Sequence, residues 1–278
     1  MTAPHQSVTA PVVVVGGGRM GEALVAGLLS AGVEPVVVVE KDQQRRAELS
    51  AAGHPVAVLA DEAELARHLG ATSPQGVVLA VKPNDALAAC RQLAAAGIPL
   101  RRVLSIAAGV TLETLEGALE SVPVMRAMPN TPALVGAGAS AVAAGQGASA
   151  DDIQWASGIL EAVGMVVELP EHSLDAVTGL SGSGPAYVFL FAEALIDAGV
   201  LVGLARPVAK RLAVQTLLGA ARMLDETGDE PSSLRAAVTS PGGTTAAGLK
   251  ALEAGGLRHA VLEAVAAATE RSRDLGRS

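Results

Sequence analysis

Aromatic side chains make up 1% of this 278-residue chain; Trp155, Tyr187, Phe189 and Phe191 are all it has. A core with so few rings has to be built from Ala, Val and Leu, which suits close-packed helices and buried parallel strands. Positive charge is also scarce: the formal net charge is −8, and no basic run exceeds Arg45-Arg46 or Arg101-Arg102. That excludes the basic footprint of a nucleic-acid binder. Cys90 is the single cysteine. It rules out an intramolecular disulfide and suits a reducing compartment, so a cytoplasmic location is expected. No Cys/His pairs stand at zinc spacing, and no metal is expected. Residues 1–10 lack a basic stretch followed by an apolar core, so they are expected to be a short disordered tail rather than a signal peptide.

Half of the residues are hydrophobic and 17% are charged, the balance of a globular chain long enough for two domains. Val12–Val15 is four β-branched residues without alternation, the pattern of a strand buried on both faces. Further strands are expected at 36–40, 56–59, 76–81, 103–106, 122–125, 139–143 and 165–169. Helical patterns stand between most of them, at 19–31, 42–52, 61–69, 83–96, 111–119 and 150–163. Alternation of this kind predicts a Rossmann-type, doubly wound parallel α/β sheet. The boundary is expected near Pro170, giving a domain over 1–169. Residues 170–278 show only helical patterns, at 185–202, 207–224, 232–238, 245–254 and 257–275, so an all-α domain follows. Between Gly184 and Leu204 the only charges are Glu193 and Asp197. Carboxylates in its middle speak against a membrane span. A helix apolar nearly all round needs cover on every side. A partner subunit supplies it most simply, so a homodimer at least is expected.

Gly16-x-Gly18-x-x-Gly21, with Arg19 and Met20 inside it, follows the first strand and opens a helix. That context turns a weak motif into a dinucleotide fingerprint: one glycine for the turn, one for approach of the pyrophosphate, one for helix–strand packing. Glu40 ends the second strand, where a carboxylate takes the ribose 2′-OH and favours NAD. Lys41, Arg45, Arg46 and Arg19 are cations suited to a 2′-phosphate and favour NADP, and the sequence leaves the choice open. Ala80-Val81-Lys82-Pro83 closes the fourth strand at the edge where open α/β sheets bind ligands. Lys82 is expected to face the crevice. Ala107 and Ala108, after the fifth strand, are small enough for a nicotinamide to approach the backbone.

The helical half lacks an evident general acid. The chain has four lysines, at 41, 82, 210 and 250, and its histidines beyond Pro170 are His172 and His259. Reduction of a ketone needs a proton for the nascent alkoxide. Reduction of an imine does not, because a protonated C=N is already electrophilic; positioning then carries most of the catalysis. Two polar glycine turns open helices there. One is Ser181-Gly182-Ser183-Gly184-Pro185, and the other is Thr239-Ser240-Pro241-Gly242-Gly243-Thr244-Thr245. Helix N-termini of this kind hold anions such as a carboxylate; the competing reading is plain helix capping by Ser or Thr. Together with the fingerprint they point to a reductase of a small carboxylate-bearing imine.

These motifs, with Met128-Pro129-Asn130-Thr131-Pro132 and Asp175–Tyr187, occur in an order that resembles the pyrroline-5-carboxylate reductase family over nearly the whole chain. The resemblance implies a helical dimerisation domain, often a ring of dimers, and NAD(P)H-dependent reduction of Δ1-pyrroline-5-carboxylate to L-proline. It places Thr245 on the ring nitrogen and the backbone of Gly242, Gly243 and Thr244 on the carboxylate, across a dimer interface. Ser181 and Ser240 join the substrate set, and Lys82, Ala107 and Ala108 line the nicotinamide pocket. Asp61 stands where many relatives carry Asn near the adenosine ribose. A β-hydroxyacid dehydrogenase shares the glycine start, but its Lys followed four residues later by Asn is missing here. An imine reductase for another substrate, or a non-catalytic NADP(H) sensor, are the remaining alternatives.

Overall fold

The computed structural model describes residues 10–276; the expected tail falls largely outside them. Strands β1 (Val12–Val15), β2 (Val36–Val39), β3 (Ala57–Leu59), β4 (Gly76–Leu79), β5 (Val103–Ser105), β6 (Val124–Met128), β7 (Gly138–Ala144) and β8 (Gly164–Glu168) form one sheet in the order β3-β2-β1-β4-β5-β6-β7-β8. Helices α1 (Arg19–Ser30), α2 (Gln43–Ala51), α3 (Glu62–Leu69), α4 (Pro83–Ala95), α5 (Leu112–Ala118) and α6 (Ala150–Glu161) connect them. The valine runs are the heart of this layer. Along β1, Val13 and Val15 enter one apolar cluster and Val12 and Val14 the other, and β2 alternates in the same way. Side chains alternate across a strand, so a sheet covered on both faces wants no polar position at all.

The sheet is parallel from β3 through β6, but β7 runs antiparallel to β6 and carries β8 with it. A wholly parallel sheet was expected. Residues 129–137 between β6 and β7 hold only a 3-10 turn at Thr131–Val135. That is too short for the helical crossover a parallel neighbour needs.

Two compact units emerge, residues 10–182 with 268–276, and residues 183–267. The break falls later than the expected 169/170 division. Leu174, 1% exposed, belongs to the sheet core, with Leu169 and Val177 packed against it, so 170–182 stay with the sheet. Ser272 Oγ donates to Asp175 Oδ1 (2.6 Å) within the same unit. A buried ion pair also braces this unit. Arg102 Nη1 lies 3.3 Å from Asp152 Oδ1 and its guanidinium carbon 5.5 Å from the centre of the Trp155 ring. Burial raises the Asp152 carboxyl, but hydrogen bonds from Ser149 and the Arg102 charge outweigh it and hold the group below the usual aspartate value.

Beyond α7 (Leu174–Val177) come α8 (Gly184–Leu201), α9 (Arg206–Thr227), α10 (Pro231–Ala237), α11 (Thr244–Ala254) and α12 (Leu257–Gly276), matching the expected helices within a few residues. α8 and α9 form an antiparallel pair in which Ala209 seats against Gly199, where an added Cβ would stand 2.9 Å away. In the single chain only Ala209 and Ala213 of residues 183–267 are buried. Phe189, Leu190 and Leu201 are 63%, 67% and 86% exposed.

Candidate active site

The strand order reverses direction between β1 and β4, and ligands of open α/β sheets bind at such a switch point. A cleft of about 640 Å³ opens there, lined by Gly16, Gly18, Glu40, Asp61, Val81 and Lys82 among others. The glycines are required by geometry. Gly16 has φ +101°, and a Cβ on it would lie 2.7 Å from the Ala80 carbonyl. A Cβ on Gly21 would lie 2.0 Å from the Gly16 carbonyl oxygen. Gly18 is the N-cap of α1, with no side chain capping it. The first N–H groups of α1 thus face outward without side-chain acceptors, the arrangement that receives phosphate.

Around this turn the side chains are tightly committed. Gly17 N–H donates to Glu40 Oε2 (2.7 Å), and Asp42 N–H donates to Glu40 Oε1 (2.9 Å). Arg45 Nε donates to the Gly17 carbonyl (2.6 Å), while its terminal nitrogens pair with Glu22 and Glu48. Hydrogen bonds to those two carboxylates hold the Arg45 guanidinium above the usual arginine value. Arg46 Nη1 donates to the carbonyls of Glu40 and Lys41, both at 2.8 Å. Lys41 pairs with Asp85 at 2.9 Å. Asp61 caps α3, accepting from Glu64 N–H (2.8 Å). Arg45 and Arg46, expected as possible phosphate ligands, are therefore engaged by protein acceptors. The side chains of Arg19 and Lys82 are exposed and make no hydrogen bond or ion pair among the described residues.

Of the residues expected at the cofactor, Gly16, Gly18, Glu40, Lys41, Arg45, Asp61, Ala80, Val81 and Lys82 line the cleft, Arg45 while bound to Gly17, Glu22 and Glu48. Arg19, Met20, Gly21, Pro83, Ala107 and Ala108 are not among its lining residues. Met20 and Gly21 belong to α1, which the turn opens, and Ala107 is buried after β5. Asp85 and Gln92, which sequence reasoning did not single out, line it from α4; Asp85 lies just two residues past the Lys82-Pro83 end, the one hint available. Cys90 is buried in the same helix, and burial pushes its thiol up to about 11, which makes it an inert packing residue.

The second unit holds the other candidate. Ser240-Pro241-Gly242-Gly243 is a turn closed by Gly243 N–H donating to the Ser240 carbonyl (3.0 Å), with φ +70° at Gly242. Pro at the second position and a left-handed Gly at the third are what a type II turn demands. The turn delivers Gly243 as N-cap of α11, again with no side-chain cap. Thr239 Oγ1 donates back to the Arg235 carbonyl (2.6 Å). The hydroxyls of Thr244 and Thr245 make no such bond among the described residues. The capping alternative is thus not what this segment does, and its first-turn N–H groups stand open.

The first polar glycine segment is different from expectation. Thr178–Gly182 is a π turn joining α7 to α8, not an open loop. Thr178 Oγ1 and Ser181 Oγ donate to the carbonyls of Leu174 (2.8 Å) and Val177 (3.1 Å), and Asn130 Nδ2 donates to the Ser181 carbonyl (3.0 Å). Hydroxyls folded back on the helix, with one side-chain amide taking up a carbonyl, satisfy the widened turn; α8 then opens at the Ser183 N-cap with no side-chain cap.

Sheet topology, glycine turn and cleft define a dinucleotide-binding oxidoreductase with a helical second part. Comparison with known proteins narrows this. The model of the pyrroline-5-carboxylate reductase dimerisation family matches residues 171–275, and that of the NADP oxidoreductase, coenzyme F420-dependent, family matches 11–109. A pyrroline-5-carboxylate reductase of Synechocystis is 45% identical over 95% of this chain and 97% of its own length. One from Mycobacterium tuberculosis is 44% identical over 96% and 97%. The solved structure of a pyrroline-5-carboxylate reductase from Coxiella burnetii superposes with a TM-score of 0.89 at 37% identity, covering 97% of this chain and all of that one. The Plasmodium falciparum pyrroline carboxylate reductase, solved with NADP bound, gives 0.81 at 31% over 96% and 98%. The chain belongs to the pyrroline-5-carboxylate reductase family.

Proposed function

We propose that this protein reduces Δ1-pyrroline-5-carboxylate to L-proline with NAD(P)H, and so closes a proline-forming route. One observation carries the reading: α1 and α11 both begin on a glycine N-cap with no side-chain cap, one after a dinucleotide fingerprint and one after a type II turn. A phosphate and a carboxylate are the anions such termini suit. The cleft fits a dinucleotide because a Cβ at Gly16 or Gly21 would fill the space the turn needs. When bound, the dihydronicotinamide supplies the hydride.

In this reading Gly16, Gly18 and the first N–H groups of α1, at Arg19, Met20 and Gly21, hold the pyrophosphate. Arg19, the cation at the turn without a protein partner, meets a 2′-phosphate; both NADPH and NADH are accommodated. Ala80, Val81, Lys82 and Pro83 form the wall beside the nicotinamide, with Ala107 and Ala108. Asp61 and Lys41 border the adenosine end. The N–H groups of Gly243 and Thr244, with the Gly242 turn and the Ser240 hydroxyl, hold the substrate carboxylate. Thr245 Oγ1 hydrogen-bonds the ring nitrogen and orients the C=N for attack. As the new C–H bond forms at the carbon of the protonated C=N, the π electrons become the nitrogen lone pair; the nitrogen already carries its proton, so the secondary amine is complete without a general acid. Ser181, whose proton goes to Val177, offers only acceptor lone pairs and frames the π turn.

The exposed apolar face of α8 and the match to a dimerisation family support a homodimer; a ring of dimers rests on the resemblance alone. The stretch Glu171–Leu201 is long and apolar enough to cross a membrane, with mean hydropathy 1.5. Glu193 and Asp197 within it favour cover by a second copy of the chain. A functional division at 169/170 is supported by the match to the dimerisation family, which begins at 171, while the compact units divide at 182/183. A single buried cysteine supports a reducing, cytoplasmic setting. The test is reduction of pyrroline-5-carboxylate by NADPH and by NADH without added metal, with proline identified as product. Tight dinucleotide binding with no turnover on this imine would favour the sensor alternative instead.

A further inference from the structure

Gly17 occupies the position the fingerprint leaves unspecified, yet a side chain there would have to displace Leu49 and crowd Glu40. A Cβ there would lie 2.4 Å from Leu49 Cδ1 and 3.3 Å from Glu40 Oε2. Both peptides flanking it are held by charged side chains. Its N–H donates to Glu40 Oε2 (2.7 Å), and its carbonyl accepts from Arg45 Nε (2.6 Å). Arg45 is itself fixed by Glu22 on α1 and Glu48 on α2. The Gly17 carbonyl and the Gly18 N–H belong to one planar trans peptide and point in opposite directions. Arg45 therefore sets the direction of the Gly18 N–H, which has no protein acceptor among the described residues and belongs to a residue lining the cleft.

We infer that Glu40 and Arg45 form a clamp on Gly17 that holds the glycine turn ready for the pyrophosphate, and that Arg45 is a positioning residue rather than a ligand of the adenosine ribose or its 2′-phosphate. The inference rests on the dinucleotide reading of the cleft. It makes a distinctive demand: the clamp serves the part that NADH and NADPH share, so both must suffer alike. A 2′-phosphate ligand serves NADPH alone.

The experiment is titration of the wild-type chain, Arg45→Met and Arg45→Lys with NADPH and with NADH at physiological ionic strength, beside thermal melting without cofactor. Lysine keeps the positive charge but loses the fork that reaches Gly17 and both glutamates at once, and it is the milder change should the methionine variant not fold. The expected result is a Kd about tenfold weaker for both dinucleotides in both variants, with their ratio unchanged, as befits a lost charge-assisted hydrogen bond. Loss confined to NADPH overturns the clamp in favour of phosphate contact. Unchanged Kd values with a lowered melting temperature overturn it in favour of a merely structural role. A wild-type chain that binds neither dinucleotide refutes the cofactor reading itself, and the clamp with it.

Discussion

The two compact units differ in where their apolar surface goes. In the sheet unit the valines of β1 and β2 are at most 3% exposed, and buried leucines of α1, α3, α4 and α5 complete two clusters. In residues 183–267 nothing larger than alanine is buried, although α8 is the most apolar helix of the chain. Burying a Leu or Phe side chain is worth about 1.5–3 kcal/mol. The first unit obtains that stabilisation from its own sequence; the second has left it unclaimed in the single chain. The lesson is that the sheet unit is organised to hold a ligand and the helical unit to meet another protein surface.

The harshest test places a charge on that uncovered surface. Leu190→Asp in both subunits of a dimer buries two carboxylates where apolar contact is expected. Assembly and activity should both be lost, measured by sedimentation and by turnover. An active, well-folded monomer at low concentration would show that α8 needs no cover.

The same comparison predicts that the polar interior of the sheet unit is a matter for that unit alone. Asp152→Ala removes one member of the buried pair with Arg102 and a capping-box carboxylate of α6. Leaving such a charge unpaired costs about 3–5 kcal/mol. The Asp152 pKa is depressed in the fold, so its contribution is present above the unfolded value near 4 and is lost as pH falls through the folded value. The melting temperatures of wild type and variant should therefore lie furthest apart at neutral pH and converge in acid. A gap that stays constant down to pH 3 would mean that the carboxylate charge is not what stabilises.

Glycine substitution sharpens the contrast from the ligand side. Gly21→Ala brings a methyl within 2.0 Å of the Gly16 carbonyl oxygen, backbone that cannot yield freely. An overpacking cost of about 1–3 kcal/mol is expected, expressed as weaker binding of both dinucleotides. Oligomeric state should not change, since nothing on α8 is touched.

Legibility followed the range of the signal. The valine runs, the glycine fingerprint and the long helices are local patterns, and each appears within a few residues of its expected place. The reversal of β7 has no local signal: strand direction depends on a connection too short for a helix, and residues 129–137, with two prolines and only Asn130 and Thr131 polar, carry no mark of direction. The hydroxyls and glycines of the Ser181 segment suit an open turn and a π turn equally well, and Asn130, which takes up the Ser181 carbonyl in the π turn, lies 51 residues away. Glu40 was legible as a cleft residue but not as a partner of Gly17, 23 positions earlier. Contacts of that kind are made by the fold, and no spacing rule announces them.

The mildest change separates ligand chemistry from architecture in the helical unit. Thr245 is half-buried at the open N-terminus of α11, with a hydroxyl that bonds nothing among the described residues. If that hydroxyl meets the ring nitrogen, its value rises as the C=N is reduced and electron density collects on nitrogen, so Thr245→Ala should lower kcat together with kcat/KM. One neutral hydrogen bond is worth about 0.5–1.5 kcal/mol, or roughly a 2- to 13-fold loss of rate. Thr245→Ser keeps the hydroxyl and should retain most activity. Dinucleotide affinity should be the same in both variants, because every residue lining the cleft lies in the sheet unit. A silent Thr245→Ala beside a crippled Thr244→Ala would shift the cradle by one residue. Silence in both would return this turn to architecture, and the helical unit would then contribute contacts between chains rather than contacts to substrate.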